Sequence, residues 1–175
     1  MSKTIAIAGL GWIGVPLAYN LSTLGFQIKG SVTSQEKATM MSSKGIDTYV
    51  LELSEDSVEG EPSLFLKDVS ILIVLIPPGI RRNTGIDFVK KMAKLVQVIE
   101  KNEVGKVILI SSTSVYGDTQ GQVTEKDIPK PSTLVGAQLL HVEELFRNSK
   151  KIELSIVRFG GLFGASREPV RYLGG

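Results

Sequence analysis

The stretch Gly9-Leu10-Gly11-Trp12-Ile13-Gly14 decides the fold, because it follows a short apolar segment, residues 5–8, and opens a run with helical spacing. A Gly-x-Gly-x-x-Gly sequence between a strand and a helix is typical of a dinucleotide-binding turn. Gly9 permits the tight turn, Gly11 lets the backbone approach a pyrophosphate, and Gly14 lets the helix pack closely on the sheet. Free N–H groups and the helix dipole then hold the phosphates. We predict that this loop binds a pyrophosphate and that Trp12 and Ile13 pack beneath it.

Strands and helices alternate along the rest of the chain. The patterns predict strands at residues 5–8, 26–32, 46–51, 69–76, 106–110 and 152–157, helices at 12–24, 34–44, 87–101 and 134–146, and a loop at 54–63. Because crossovers between parallel strands are right-handed, this order predicts a doubly wound parallel sheet of about six strands flanked by helices. We therefore expect an α/β Rossmann fold, with residues 1–175 forming a single NAD(P)-binding domain.

Composition and charge exclude several classes of protein. The net charge of +2 comes without a dense Lys/Arg run, which argues against a nucleic-acid partner. The absence of cysteine excludes disulfides and thiolate metal sites, and we expect no bound metal. No apolar run reaches the length that spans a bilayer. We expect a soluble cytoplasmic protein with no membrane contact.

The end of the second predicted strand bears on the choice of cofactor. Sites that prefer NAD usually carry an acid here for the ribose 2′-hydroxyl, but Ser31-Val32-Thr33-Ser34 contains none. The hydroxyls of Thr33 and Ser34 and the cation of Lys37 could instead hold a 2′-phosphate. This pattern favours NADP over NAD. The alternative is that Ser34 simply caps a helix and Lys37 is a surface residue, which leaves the preference open.

The fourth predicted strand ends in Ile76-Pro77-Pro78-Gly79. In open α/β sheets, ligands bind beyond the carboxyl ends of strands, at the point where the strand order reverses. We predict that these residues line the cofactor site, the alternative being an ordinary loop. Arg81 and Arg82 follow this segment. Two interpretations are open for them: they bind an anionic group, or they are solvated surface residues.

A hydroxyl-rich segment, Ser111-Ser112-Thr113-Ser114-Val115-Tyr116-Gly117, follows the fifth predicted strand. Together with Glu125, Pro131, Glu143 and the segment 158–164, it resembles the extended short-chain dehydrogenase/reductase family, which includes the sugar-nucleotide epimerases and dehydratases. The resemblance covers residues 1 to about 164. It implies a cofactor-contacting Ser111 and a Ser112 that hydrogen-bonds a substrate hydroxyl or carbonyl.

The resemblance also shows where this chain departs from the family. Thr113 and Ser114 occupy the positions of the dehydratase acid pair, so dehydratase chemistry is not expected. The family's catalytic Tyr and the Lys four residues later fall on Val135 and Leu139, and neither side chain can move a proton. Tyr116 is a nearby candidate for a catalytic role, although a Tyr at this place in the family is usually structural.

Two functional interpretations follow. The chain is the cofactor-binding part of an atypical oxidoreductase or epimerase that acts on a carbonyl or hydroxyl, with a sugar nucleotide as one candidate substrate. Alternatively, it is a non-catalytic regulator that senses redox state through dinucleotide occupancy. A hydroxyacid-dehydrogenase-like enzyme would fit the glycine loop but not the segment around Ser112. We further expect a substrate lobe that is truncated or absent, little or no turnover by this chain, and a homodimer as one possible assembly.

Overall fold

The computed structural model describes residues 3–79 and 87–164. The strands are β1 (Thr4–Ala8), β2 (Gln27–Val32), β3 (Asp47–Leu53), β4 (Val58–Gly60), β5 (Ile71–Val74), β6 (Lys106–Ser112) and β7 (Glu153–Phe159). The helices are α1 (Gly14–Thr23), α2 (Gln35–Ser43), α3 (Pro62–Leu66), α4 (Phe88–Lys101) and α5 (Leu134–Arg147). The predicted α/β Rossmann fold is confirmed.

The strands form one sheet in the order β4-β3-β2-β1-β5-β6-β7, in which only the β3–β4 pairing is antiparallel. Strand order reverses between β1 and β5, so a crevice opens beyond their carboxyl ends. Alternate residues of β1 enter two different cores, as the twofold periodicity of a strand requires. Ile5 and Ile7 pack with α1 and α2, whereas Ala6 and Ala8 pack with α3, α4 and α5. The sheet is therefore covered on both faces, which is the doubly wound arrangement.

The predicted loop at residues 54–63 is wrong in part. Its second half forms β4, which pairs antiparallel with the end of β3 in the register Leu51↔Gly60, and then enters α3 at Pro62. Both elements are too short to produce a periodic pattern in the sequence, and β4 exists because it adds hydrogen bonds to the edge of β3. The fourth predicted strand is shorter than expected, since Ile71–Val74 alone has strand geometry before Pro77 and Pro78.

Helix boundaries follow local chemistry. The Ser34 hydroxyl accepts a hydrogen bond from the Lys37 amide and caps α2, and Asp87 caps α4 in the same way through Val89 and Lys90. Within residues 3–79 and 87–164, no helix is both long enough and apolar enough to cross a bilayer. The same residues contain no group of three or more His, Cys, Asp or Glu side chains placed to hold a metal ion.

Candidate dinucleotide site

The glycine loop joins β1 to α1 at the centre of the sheet, beyond the carboxyl end of β1. A Cβ atom on Gly14 would lie 2.3 Å from the carbonyl oxygen of Gly9, so only glycine lets the helix begin this close to the loop. A Cβ on Gly11 would meet nothing within 4 Å, which leaves open space beside the backbone. The first turn of α1 carries no acidic side chain and its N-cap, Ile13, makes no side-chain capping bond. The loop thus has the form that an anion requires.

Leu10 is the residue that packs beneath the loop. Its side chain is buried and lies over Gly30 of β2, where a Cβ atom would come within 2.3 Å of Leu10 Cδ1. Our prediction that Trp12 and Ile13 pack there is wrong, because both are half-buried and line an apolar cavity with Phe159 and residues 162–164. The absence of a side chain at Gly30 leaves room beneath the turn, and Leu10 occupies that room.

Three hydrogen bonds hold the glycine loop, two from the carboxyl end of β2 and one from α2. Ser31 Oγ accepts from the Gly9 amide at 3.1 Å, and the Ser31 carbonyl accepts from the Leu10 amide at 2.8 Å. From α2, Lys37 Nζ donates to the Leu10 carbonyl at 2.6 Å. Ser34 thus has the capping role named as the alternative, whereas Lys37 is bonded to the loop and is not a free surface cation.

A cavity of about 220 Å³ lies on the β2 side of the glycine loop. Of the predicted site residues, Gly9, Thr33, Ile76 and Pro77 line it, and Ser31 lines it beside them. Glu52, at the end of β3, and Lys91, in the second turn of α4, also line it, and sequence reasoning missed both. Glu52 could have been found from the sequence, because it is an acid at the end of a predicted strand. Lys91 could not, because in the sequence it looks like the solvated lysines beside it on α4, and only the fold shows that it lines the cavity.

A second cavity of about 500 Å³ lies on the other side of the loop, and it shares Ile76 and Pro77 with the first. Ile13, Pro78, Ser111 and Ser112 line it, so the structure brings the glycine loop and the hydroxyl-rich end of β6 to one cavity. Gly79 lines neither cavity. Arg81 and Arg82 lie outside the described residues.

The hydroxyl groups in this second cavity differ in their contacts. Ser112 Oγ accepts from the Ser114 amide at 3.1 Å, which leaves its own proton free to be donated. Ser114 Oγ is buried and has no hydrogen-bond partner among the described residues. Ser111 is buried as well. The end of β6 therefore offers hydroxyl donors to a ligand that fills the cavity.

Val135 and Leu139 of α5 lie in the wall of the same cavity. These are the positions that the resemblance assigned to the catalytic Tyr and Lys, so the site faces two apolar side chains there. None of the described residues that line this cavity is an acid, a base or a tyrosine. In this part of the chain, the cavity can orient a ligand but holds no side chain suited to proton transfer.

Tyr116 lies away from Ser112, in a cavity of about 430 Å³ beside β7. Its hydroxyl donates to the Thr124 carbonyl at 2.9 Å and accepts from Arg158 Nη1 at 2.5 Å. The first contact ties the segment that follows β6 to the loop at Thr124, and the second ties it to β7. The structure thus does not bring Tyr116 to the predicted catalytic position, and its hydroxyl is already engaged.

Glu143 of α5 is fully buried and pairs with Arg158 of β7 through two hydrogen bonds of 2.9 Å and 2.6 Å. Arg147, one turn further along α5, adds a third contact at 3.3 Å. Burial raises the pKa of the Glu143 carboxyl, but the hydrogen bonds and charges of its neighbours, Arg158 foremost, outweigh burial, so the net pKa lies below the ordinary value. This ion pair ties α5 to the strand beside β6.

Comparison with known proteins agrees with this geometry. Residues 84–172, half of the chain, match the NAD dependent epimerase/dehydratase family. The chain belongs to this family. It is also 36% identical, over 99% of its length, to the protein YeeZ of Escherichia coli strain K12.

Solved structures show the same fold at lower identity. The UDP-N-acetylglucosamine 4-epimerase of Bacillus cereus matches with a TM-score of 0.75 and 20% identity over 95% of this chain. The UDP-glucuronic acid 4-epimerase of Bacillus cereus, in complex with NAD, matches with a TM-score of 0.74 and 21% identity over 95% of this chain. The family member described here spans 64% of the length of YeeZ and 56% and 58% of the lengths of these two epimerases.

Proposed function

We propose that this chain binds a nicotinamide dinucleotide across the glycine loop, as the cofactor-binding part of an oxidoreductase or epimerase. The observation that carries the proposal is the pair of cavities on either side of the loop, which share Ile76 and Pro77. A dinucleotide has the matching form, with two nucleoside halves joined by a pyrophosphate. The adenosine half would occupy the cavity with Thr33 and Glu52, and the nicotinamide half the cavity with Ser112.

The choice between NADP and NAD depends on the adenosine cavity. The family as a whole is described as NAD-dependent. Thr33 lines this cavity at the end of β2, and the segment Ser31-Val32-Thr33-Ser34 contains no acid to repel a 2′-phosphate. Glu52 stands at the neighbouring strand end, where its carboxylate would accept from the exocyclic amine of adenine. On this arrangement we propose NADP as the preferred cofactor and NAD as the alternative.

Titration of the protein with NADPH and NADH, followed by nucleotide fluorescence, tests this preference. We expect NADPH to bind more tightly than NADH. An acid introduced by Thr33→Asp should lower the affinity for NADPH by about ten-fold, because it repels the 2′-phosphate. Thr39→Asp, on the exposed side of α2, is the matched control and should leave both affinities unchanged. Equal affinities for the two nucleotides that Thr33→Asp does not alter would contradict the NADP proposal.

On the substrate side, Ser112 is the residue that we propose contacts a carbonyl or hydroxyl group. Its free proton supports this role, and the UDP-sugar epimerases among the fold neighbours suggest a sugar nucleotide as the substrate class. A second candidate function is a redox-sensing regulator without catalysis. The apolar Val135 and Leu139 in the cavity wall favour this second candidate, because they cannot transfer a proton.

A single-turnover experiment separates the two functions. Protein loaded with NADPH or NADH is mixed with a UDP-4-ketohexose, and hydride transfer is measured as loss of nucleotide fluorescence. We expect at most slow transfer, and Ser112→Ala should slow it further while changing cofactor affinity less than about two-fold. Tight cofactor binding with no transfer, at any substrate concentration, would support the regulator instead.

Three broader predictions remain part of the proposal. We propose that residues 1–175 fold as a single domain, that the protein is cytoplasmic, in keeping with its lack of cysteine, and that it forms a homodimer. Cooperative unfolding in urea followed by two independent probes would test the first. The mass measured by light scattering would test the last.

A further inference from the structure

We propose that Lys37 is a positioning residue of the glycine loop, which supports NAD and NADP binding equally and does not select the 2′-phosphate. This inference rests on the proposed dinucleotide site. It assigns the only Lys in α2 a task at the pyrophosphate end of the site instead of the ribose end. Any preference for NADP would then come from Thr33 and from the missing acid on β2.

The geometry points to this role because the Lys37 ammonium already has a partner in the loop. Its Nζ donates to the carbonyl oxygen of Leu10 at 2.6 Å, the short distance of a charge-assisted hydrogen bond. The side chain is half-buried, so this contact is partly shielded from water. The cap formed by Ser34 fixes the start of α2 and therefore the point from which Lys37 reaches the loop.

Lys37 makes the third of three hydrogen bonds that reach the backbone of residues 9 and 10 from β2 and α2. The other two come from Ser31, whose hydroxyl holds the Gly9 amide and whose carbonyl holds the Leu10 amide. Ser31 thus accepts hydrogen bonds from the amides of Gly9 and Leu10, and Lys37 donates one to the carbonyl of Leu10. Because the Leu10 side chain also packs over Gly30, the amide and the carbonyl of Leu10 are held in a fixed orientation.

The direction of the Leu10 carbonyl matters to an anion. A carbonyl oxygen that turned toward the phosphates would repel them, whereas one that is held by an ammonium group cannot turn. The Gly11 amide donates to the Gly9 carbonyl within the loop at 2.8 Å, so the held Leu10 carbonyl leaves the start of α1 to face the pyrophosphate. The ammonium adds a positive charge beside the loop. Both effects act on the pyrophosphate, which NAD and NADP have in common.

The test compares Lys37→Met, which removes the ammonium, with Lys37→Arg, which keeps the charge. Lys44→Met is the matched control, since it removes the same charge from the exposed C-terminal end of α2. Calorimetry with NADH and NADPH should show that Lys37→Met weakens both by the same factor, roughly ten-fold. Lys37→Arg should restore part of the loss for both nucleotides, and Lys44→Met should change neither.

Hydrogen exchange in the ligand-free protein gives a second readout. The amides of Leu10 and Gly11 should exchange about ten-fold faster in Lys37→Met, because the loop opens more often without the hydrogen bond from Lys37 to the Leu10 carbonyl. A loss of affinity confined to NADPH, with unchanged exchange, would overturn the proposal and make Lys37 a ligand of the 2′-phosphate. Unchanged affinity and unchanged exchange would also overturn it. If the wild-type protein bound neither nucleotide, the proposed function would fail, while the exchange rates would still decide the role of Lys37 in the loop.

Discussion

The two sides of the crevice are stabilised in different ways. On the β1–β2 side, small residues and backbone hydrogen bonds position the loop, and glycines at 14 and 30 allow contacts that any side chain would block. On the β6–β7 side, a buried ion pair between Glu143 and Arg158 fixes the elements around Ser112. The first side has the three glycines of a dinucleotide-type loop, whereas on the second side Val135 and Leu139 stand at the positions that the resemblance assigned to the catalytic Tyr and Lys. In the proposed function, cofactor binding and proton transfer are thus separable, because different elements would supply them.

The largest effect should come from breaking the ion pair on the β6–β7 side. Glu143→Gln leaves Arg158 buried without a full countercharge, which costs about 3–5 kcal/mol of unfolding free energy. Urea denaturation measures the loss. Glu144→Gln, on the exposed side of the same helix, is the control and should change stability by about 0.5 kcal/mol or less. Comparable losses in the two variants would mean that the pair has no special role.

The same ion pair predicts how stability depends on pH. The folded-state pKa of Glu143 is lowered, so the pair stabilises the fold at pH values above the carboxyl's ordinary pKa of 4.5, and that contribution is lost as pH falls through the lower folded-state value. Unfolding free energies measured from pH 7 down to pH 3 should decline more steeply in the wild type than in Glu143→Gln. Parallel curves would contradict this assignment.

On the loop side, two alanine substitutions should separate packing from binding. Gly14→Ala places a Cβ against the Gly9 carbonyl, and we expect it to cost about 1–3 kcal/mol of stability and to reduce dinucleotide affinity at least ten-fold. Gly11→Ala meets no protein atom, so it should leave stability within about 0.5 kcal/mol of the wild type. It should nevertheless weaken dinucleotide binding, since its methyl group enters the space proposed for the pyrophosphate. Calorimetry and urea unfolding measure both quantities, and full affinity in Gly11→Ala would place the pyrophosphate elsewhere.

The smallest effect should come from Tyr116→Phe. The substitution removes one hydrogen bond to the Thr124 carbonyl and one from Arg158, and it should cost about 1 kcal/mol of unfolding free energy. Because Tyr116 lines a different cavity from Ser112, single-turnover hydride transfer should be unchanged. A large loss of transfer without a loss of stability would restore Tyr116 as a catalytic residue.

The sequence predicted the order of the main elements because buried strands and amphipathic helices leave regular apolar patterns. It also located the glycine loop and Ser112, whose local motifs are distinctive, and both lie at the crevice. It did not predict β4 or α3, which are too short for periodicity to detect. Nor did it identify Leu10 as the residue beneath the loop, since the space there depends on Gly30 of a neighbouring strand.

The sequence by itself determined the doubly wound fold, the dinucleotide-type loop and the absence of a Tyr-x-x-x-Lys pair, because each is written in consecutive or regularly spaced residues. Only the tertiary structure decided the partners of Lys37, Tyr116 and Glu143. Lys37 could equally have faced a ribose phosphate, and Tyr116 a substrate, until the packing of α2 and β7 fixed their neighbours. The physical reason is that a hydrogen bond joins atoms that are close in space, and side chains from separate strands and helices become close only when the sheet is assembled.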